Sequence, residues 1–300
     1  MRNPVDLVIR SLKSALANWQ LVAIRMVESV VFVFLTMLAL LATILPVAIK
    51  AGLGKLSIAD AANSADALSQ FLVEQRALIL WTCGVLILVT GVMMVVHSLI
   101  AAGSVRVYLD AEHAPGDRFE VFRGDTFRAA ARHGFWRVFW IYNIAWAYAG
   151  LLVLLPVMFA LVVVLLTQGT VGGVIFAAVL FGGTVVLAIP IGIITAIWVG
   201  RALIDGERGQ LGASESLKAA RRSIRADLGS HAAVILLVMI ISIGGILVIS
   251  GVSGSFSSAG EVLAPMQLVG SLAQTFASAL ASAWMLAAFA ALAENRGSSG

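Results

Sequence analysis

Two groups of side chains in this sequence have the types and spacing to do chemistry. Asp110, Glu112 and His113 lie close together, and Asp205 with Glu207 repeats the acidic pair further along. Two carboxylates and an imidazole so placed could hold a metal ion or exchange a proton. A plainer reading competes with it. Arg106 precedes Asp110, and Arg201 precedes Asp205, by one helical turn, which is the spacing of an intrahelical ion pair. The second group is cationic: Arg10, Lys13, Arg128, Arg132, Lys218, Arg221, Arg222 and Arg225. Guanidinium and ammonium groups gathered in this way suit phosphate or carboxylate ligands. The chain has no Gly-x-Ser-x-Gly, no His-Glu-x-x-His and no Gly-x-x-x-x-Gly-Lys, so hydrolase, zinc-protease and nucleotide-loop chemistries have no motif to stand on.

The elements that must position these residues are membrane spans. From Val138 to Gly200 the chain runs 63 residues without an Asp, Glu, Lys or Arg. A bilayer-crossing helix needs about 20 apolar residues, so the stretch holds two spans joined by a short turn. That turn is placed at Thr167-Gln168-Gly169-Thr170-Val171-Gly172-Gly173. Apolar residues make up 60% of the chain and charged residues 12%, half the charge of an ordinary soluble domain. Six spans are predicted, at about Val27–Ile49, Ala77–Gly103, Val138–Leu166, Val174–Gly200, Ala232–Ile249 and Met266–Ala293. The first follows a charged helical segment and is long enough to span, unlike a cleaved signal peptide. The single cysteine, Cys83, falls in an apolar run and reads as a packing residue.

Of the 20 cationic residues, 17 sort to the N-terminal segment, the second and fourth loops and the tail. Only Lys50, Lys55 and Arg76 lie on the other side. The positive-inside bias then puts both termini in the cytoplasm. Arg outnumbers Lys sixteen to four, a flavour of GC-rich bacterial genomes, so the expected location is a bacterial inner membrane.

Three segments are alike: Ser11-Leu12-Lys13-Ser14-Ala15, Thr126-Phe127-Arg128-Ala129-Ala130 and Ser216-Leu217-Lys218-Ala219-Ala220. Each precedes a pair of spans. The second and fourth spans also end alike, with Arg106, Asp110 and Glu112 matching Arg201, Asp205 and Glu207, and Leu292-Ala293-Glu294 is a weaker echo. The expected fold is therefore an all-α polytopic membrane protein. Residues 1–300 form one integral membrane domain of three hairpin repeats, at about 1–112, 113–207 and 208–300. A cytoplasmic amphipathic helix leads each repeat. The first leading helix sets Val5, Val8, Ile9, Leu12 and Leu16 against Asp6, Arg10, Lys13 and Ser14. Asn3 serves as its cap and Pro4 opens it. The third sets Leu217, Ala220, Ile224 and Leu228 against Lys218, Arg221, Arg222 and Arg225. One apolar and one basic side suit a helix lying in the headgroup layer, or one docked on its own bundle.

The stretch Asp205-Gly206-Glu207, followed by Glu215-Ser216-Leu217-Lys218-Ala219-Ala220-Arg221-Arg222-Ser223, resembles a Glu-x-Gly-like element and an Ala-Leu-Arg-x-Ser-type helix. These mark a bacterial six-span group that includes the membrane domain of glycerophosphoryl diester phosphodiesterases and related membrane families of unknown function. Gly209-Gln210-Leu211-Gly212 lengthens the connection relative to that pattern. The resemblance implies the fold. It confers no activity, because the phosphodiesterase chemistry belongs to a soluble barrel that this chain lacks.

Well inside the spans, His97 is read as the one titratable group besides Cys83. Arg25 and Glu28, three apart at the mouth of the first span, read as a neutralising pair. With no buried carboxylate, an ion-coupled pump is disfavoured. Gly192, Ala196 and Gly200, and Ser271, Thr275, Ala279, Ala283 and Ala287, form small-residue stripes suited to close helix contact. Pro46, Pro156, Pro190 and Pro265 could kink or start spans, and Trp136, Trp140 and Trp146 read as interfacial anchors.

Two functions follow as expectations. One is a non-enzymatic membrane component that organises anionic lipid or a partner protein at the cytoplasmic leaflet through the eight cations. The other is a passive or partner-driven carrier of a lipid or small hydrophobic molecule, with His97, Asn143 or Gln274 lining a cavity between hairpins. No cofactor, metal or nucleic acid is expected, and the oligomeric state is left open. The topology has a direct check. Ser64→Cys and Ser257→Cys should label from outside, and Ser298→Cys only after permeabilisation. Labelling of Ser298→Cys in intact cells would refute it.

Overall fold

The structure is a computed structural model that describes residues 3–52, 73–114, 119–167, 170–257 and 264–297. Ser64 and Ser298 lie outside the described residues. The described chain is a succession of helices: α1 Pro4–Ala17, α2 Trp19–Gly52, α3 Arg76–His113, α4 Gly124–Leu166, α5 Val171–Gly209, α6 Ala213–Ala226, α7 Leu228–Ser257 and α8 Ala264–Gly297. Six of them, α2, α3, α4, α5, α7 and α8, are long and apolar enough to cross a membrane. The protein is an all-helical, multi-pass membrane protein. Its residues fall into two compact units. One comprises residues 1–25 with 98–300, and the other residues 26–97.

Each long helix contains its predicted span, and several overrun it at the cation-rich end. The third span was expected from Val138, yet α4 begins at Gly124 and runs 43 residues unbroken. At 1.5 Å per residue that is about 65 Å, twice the hydrocarbon thickness. The separate leading helix expected before this span is therefore not formed. The Thr126-Phe127-Arg128-Ala129-Ala130 segment is the first part of α4. No proline lies between this segment and the span to break it, and Gly134 is carried within the helix. Pro46, Pro156 and Pro190 all sit inside helices that continue past them.

The two short helices end where capping chemistry says they should. Asn3 caps α1, its side chain accepting from the Val5 amide at 3.2 Å, and Pro4 takes the first position. Asn18 closes α1 and is fully buried. Its amide donates to the carbonyls of Ser14 and Phe119, and its oxygen accepts from the Val121 amide. Between α5 and α6 the chain reverses at Gln210, whose φ of 48° is left-handed. Helix α6 stops at Ala226, so Leu228 opens α7 instead of completing the apolar side of α6. It is 62% exposed. The turn between α4 and α5 falls at Thr167–Thr170. Thr170 caps α5 by accepting from the Gly173 amide, so the helix starts three residues before the predicted span.

The core of the larger unit lies at the cation-rich end. The last turns of α8, from Ala287 to Ala293, are buried on every side, together with Trp284 and Leu286. Ala101–Val105 and Val107–Leu109 of α3, and Val199 and Ala202–Ile204 of α5, are buried in the same unit. Helix α8 packs on α7, α1 and α5, while α6 packs on α5, α4 and α7. Away from that end the apolar side chains are mostly exposed, as they must be where lipid is the solvent.

The small-residue stripes are used in part. Ala279, Ala283 and Ala287 are buried, but Ser271 is exposed. Gly192 and Ala196 are not buried, and only Gly200 of its stripe makes a tight contact, with the Phe289 ring of α8 against it. A Cβ at Gly200 would overlap that ring, and one at Gly103 would overlap Phe127. Gly200→Ala should therefore lower stability by about 1–3 kcal/mol, the cost of overpacking. Adding Phe289→Leu should recover part of the loss. Thermal melts in detergent measure both, and a Gly200→Ala variant as stable as the parent would show that α5 and α8 can separate freely.

Candidate functional site

The predicted acid cluster does not converge. Asp110 pairs with Arg106 on its own helix at 3.2 Å, as the one-turn spacing predicted. Glu112 receives Arg10 Nε from α1 at 2.7 Å, and His113 reaches Glu294 of α8 at 3.4 Å and the Leu109 carbonyl at 2.7 Å. Arg201 and Asp205 form the matching intrahelical pair at 2.9 Å. Among the described residues, no three His, Cys, Asp or Glu side chains come together to hold a metal.

These acids form an ion-pair set that joins helices. Glu207, at the end of α5, takes Arg137 of α4 and lies 3.7 Å from Arg106 of α3. Glu294, at the end of α8, takes Arg208 of α5 at 3.6 Å, and Arg208 also donates to the Ala293 carbonyl. The side chains of Glu112, Glu207 and Arg137 are nearly all buried. Glu112, Glu207 and Glu294 are each met by a basic side chain from at least one other helix. Burial of carboxylates was not foreseen. In the smaller unit Glu28 is also buried, and it accepts from His97 Nδ1 at 2.6 Å. His97 thus bonds a facing helix, and a buried carboxylate does lie at the mouth of the first span.

This pairing sorts the eight candidate cations. Arg10 is a correction. It is largely buried between Glu112 and the Phe119 ring, whose centroid lies 4.8 Å from its guanidinium carbon, so it is not presented to a headgroup. Lys13, Arg128, Arg132, Lys218, Arg221, Arg222 and Arg225 are all exposed. None of the seven has a carboxylate partner among the described residues.

Helix α1 also departs from its two-sided reading. The face it buries is Leu7, Val8, Ser11, Ser14 and Ala15, while Val5, Ile9 and Leu16 are about half exposed. The reason is a hydrogen bond: the buried Trp284 indole of α8 donates to Ser11 Oγ at 2.9 Å and to the Val8 carbonyl at 3.2 Å. A three-sided helix results, with one side on the bundle, one apolar and outward, and one charged. Helix α6 buries Ser216, Leu217 and Ala220 and turns its four cations outward.

Two of those cations, Arg221 and Arg225, stand over a cavity of about 480 Å³. From α5 come Ile194, Ile197 and Trp198, from α4 Tyr148, and from the α6–α7 corner Ile224 and Leu228. The Trp198 indole donates to the Leu217 carbonyl at 2.8 Å and so pins α6 to α5. Tyr148 meets the Trp198 ring edge-on at 6.2 Å. The residues expected to line a cavity are elsewhere. Asn143 donates to the Phe139 carbonyl of its own helix at 2.8 Å, and Gln274 is exposed. The cavity was missed because its apolar wall carries no sequence signal that separates it from other lipid-facing residues.

Compared with protein-family models, curated proteins and solved structures, the chain matches none.

The ion-pair set gives a stability prediction. Glu207→Gln strands Arg137 in a largely buried position, and removing one partner of a buried pair costs about 3–5 kcal/mol. Arg222→Gln, on an exposed cation with no partner, should change stability by less than about 0.5 kcal/mol. Melting temperatures of the two variants in detergent should differ by several degrees, and equal values would refute the structural role of the pair.

Proposed function

We propose that the protein is a non-enzymatic component of a bacterial inner membrane that gathers anionic lipid at the cytoplasmic leaflet. The observation that carries this reading is the division of the cations. Asp110, Glu112, Asp205, Glu207 and Glu294 are paired with Arg10, Arg106, Arg137, Arg201 and Arg208, while seven candidate cations are exposed and have no carboxylate partner among the described residues. Six spans already make insertion irreversible, so these charges are not needed for anchoring. Each cation near an anionic leaflet contributes about 1 kcal/mol of attraction. The outward apolar side of α1, with Val5, Ile9 and Leu16, supports a helix resting in the headgroup layer.

The three-repeat reading belongs to the same proposal. Ser11 and Ser216 occupy matching places and are both buried, as are Ala15 and Ala220, while Lys13 and Lys218 are both exposed. The likeness to the membrane domain of glycerophosphoryl diester phosphodiesterases fits this layout and adds no activity to it.

A carrier is the second reading, and the cavity is the observation that would favour it. Its deepest wall residue on α5, Ile194, lies seven positions from Arg201, or about 10 Å along the helix. That is a third of the hydrocarbon thickness. Such a depth supports a seat at the headgroup level over a route through the bilayer.

The test leaves the cavity untouched. Gln at Lys13, Arg128, Arg132, Lys218 and Arg222 should leave the melting temperature unchanged and reduce co-purified anionic lipid by about threefold. Raising salt should have the same effect on the parent, since screening acts over about 10 Å at 0.1 M. An unchanged lipid complement with a sharp loss of stability would make these cations structural and end the proposal.

A further inference from the structure

Resting on that reading, we infer that the groove between α4, α5 and α6 is a discrete site for one anionic phospholipid. Arg221 and Arg225 hold its phosphate, and the wall of Ile194, Ile197 and Trp198 takes an acyl chain. The inference goes beyond a basic surface because it assigns a stoichiometric seat.

Four observations support it. First, Arg221 and Arg225 are one helical turn apart on α6, so their guanidiniums project from neighbouring points of one face. Two guanidiniums so placed can each give paired N–H bonds to the oxygens of a single phosphate. Neither is in an ion pair among the described residues, so an external anion displaces no internal partner. Second, the space beneath them is lined almost wholly by apolar side chains, and its volume, about 480 Å³, is in the range of ligand sites. A soluble phosphate compound would leave that wall facing water, whereas an acyl chain covers it. Third, Ile194, Leu228 and Tyr148 on the rim are each more than half exposed. The apolar rim of the groove is therefore uncovered, and an acyl chain can reach it from outside the bundle. Fourth, the wall is fixed in place. The Trp198 indole is bonded to the backbone of α6, the helix that carries the arginines, so the apolar floor and the cationic rim move as one body. The other exposed candidate cations, Lys13, Arg128, Arg132, Lys218 and Arg222, are not among the residues that line this cavity.

The experiment is native mass spectrometry of the full-length protein in detergent, titrated with phosphatidylglycerol, with phosphatidylcholine and, separately, with glycerol phosphate. One phosphatidylglycerol should be retained above the graded background, and phosphatidylcholine should not. Arg221→Gln with Arg225→Gln removes charge-assisted bonds to the phosphate and should weaken that lipid by about tenfold or more. Ile194→Trp fills the groove without changing charge and should weaken it to a similar extent. Arg128→Gln with Arg132→Gln should change it by less than about twofold. Circular dichroism and melting temperature confirm that each variant is folded. The inference is overturned if Ile194→Trp has no effect while glycerol phosphate competes as well as the lipid, because the site would then be one for water-soluble phosphate. It is also overturned if neutralising Arg128 and Arg132 costs as much as neutralising Arg221 and Arg225. Binding is then spread over the basic surface, and only the broader reading survives. If no neutralisation alters bound lipid, both fail, and a protein with an acidic surface becomes the occupant to seek.

Discussion

The structure depends on how carboxylates are paired at the cation-rich ends of its helices. Glu112, Glu207 and Glu294 end α3, α5 and α8, and each is largely removed from water. A buried carboxylate is tolerated only when a cation and hydrogen bonds replace its lost hydration. Arg10, Arg137 with Arg106, and Arg208 with His113 supply them from other helices. In lipid there is no hydrophobic force to draw helices together along their apolar lengths, so polar ties and close small-residue contacts must do it. Both are found at the same end. The alanines of α8 allow close approach, and the ion pairs fix which helix lies beside which.

This arrangement has a consequence for the surface. An acid used inside cannot neutralise a cation outside. The basic residues of α6 and of the first turns of α4 are therefore left exposed by the pairing that stabilises the core. The same logic explains why Arg10 behaves differently from its neighbours on α1. It is the one cation of the eight that lies within reach of a buried glutamate, and the desolvated carboxylate draws it inward. The exposed basic surface and the stability of the bundle thus draw on one pool of arginines, divided by position.

The short helices show why a two-sided pattern was too simple a description of this chain. In water an amphipathic helix turns its apolar side to the core. Helix α1 buries Leu7 and Val8 together with Ser11, Ser14 and Ala15, and leaves Val5, Ile9 and Leu16 outward. In a bilayer both the protein and the lipid accept apolar groups, so the side that enters the bundle is chosen by size and hydrogen bonding. The Trp284 indole needs an acceptor, and the Ser11 hydroxyl with the Val8 carbonyl provides it.

By itself the sequence determined the membrane class, the six apolar segments, the short turn near Thr170, the cap at Asn3 and the intrahelical pairs Arg106–Asp110 and Arg201–Asp205. All of these depend on local rules, namely the run length of apolar residues, a capping side chain and the 3.6-residue period, which need no knowledge of neighbours. Tertiary structure alone decided the rest. It joined the segment from Thr126 to Ala130 to the span that follows, withdrew Arg10 from the basic surface and gave Glu28 to His97. It also set Arg221 and Arg225 over an apolar groove while leaving Asn143 and Gln274 away from it. Each of these outcomes is a pairing between residues far apart in the chain. In a chain whose lipid-facing and core-facing residues are equally apolar, hydropathy cannot tell which distant helix a side chain will meet.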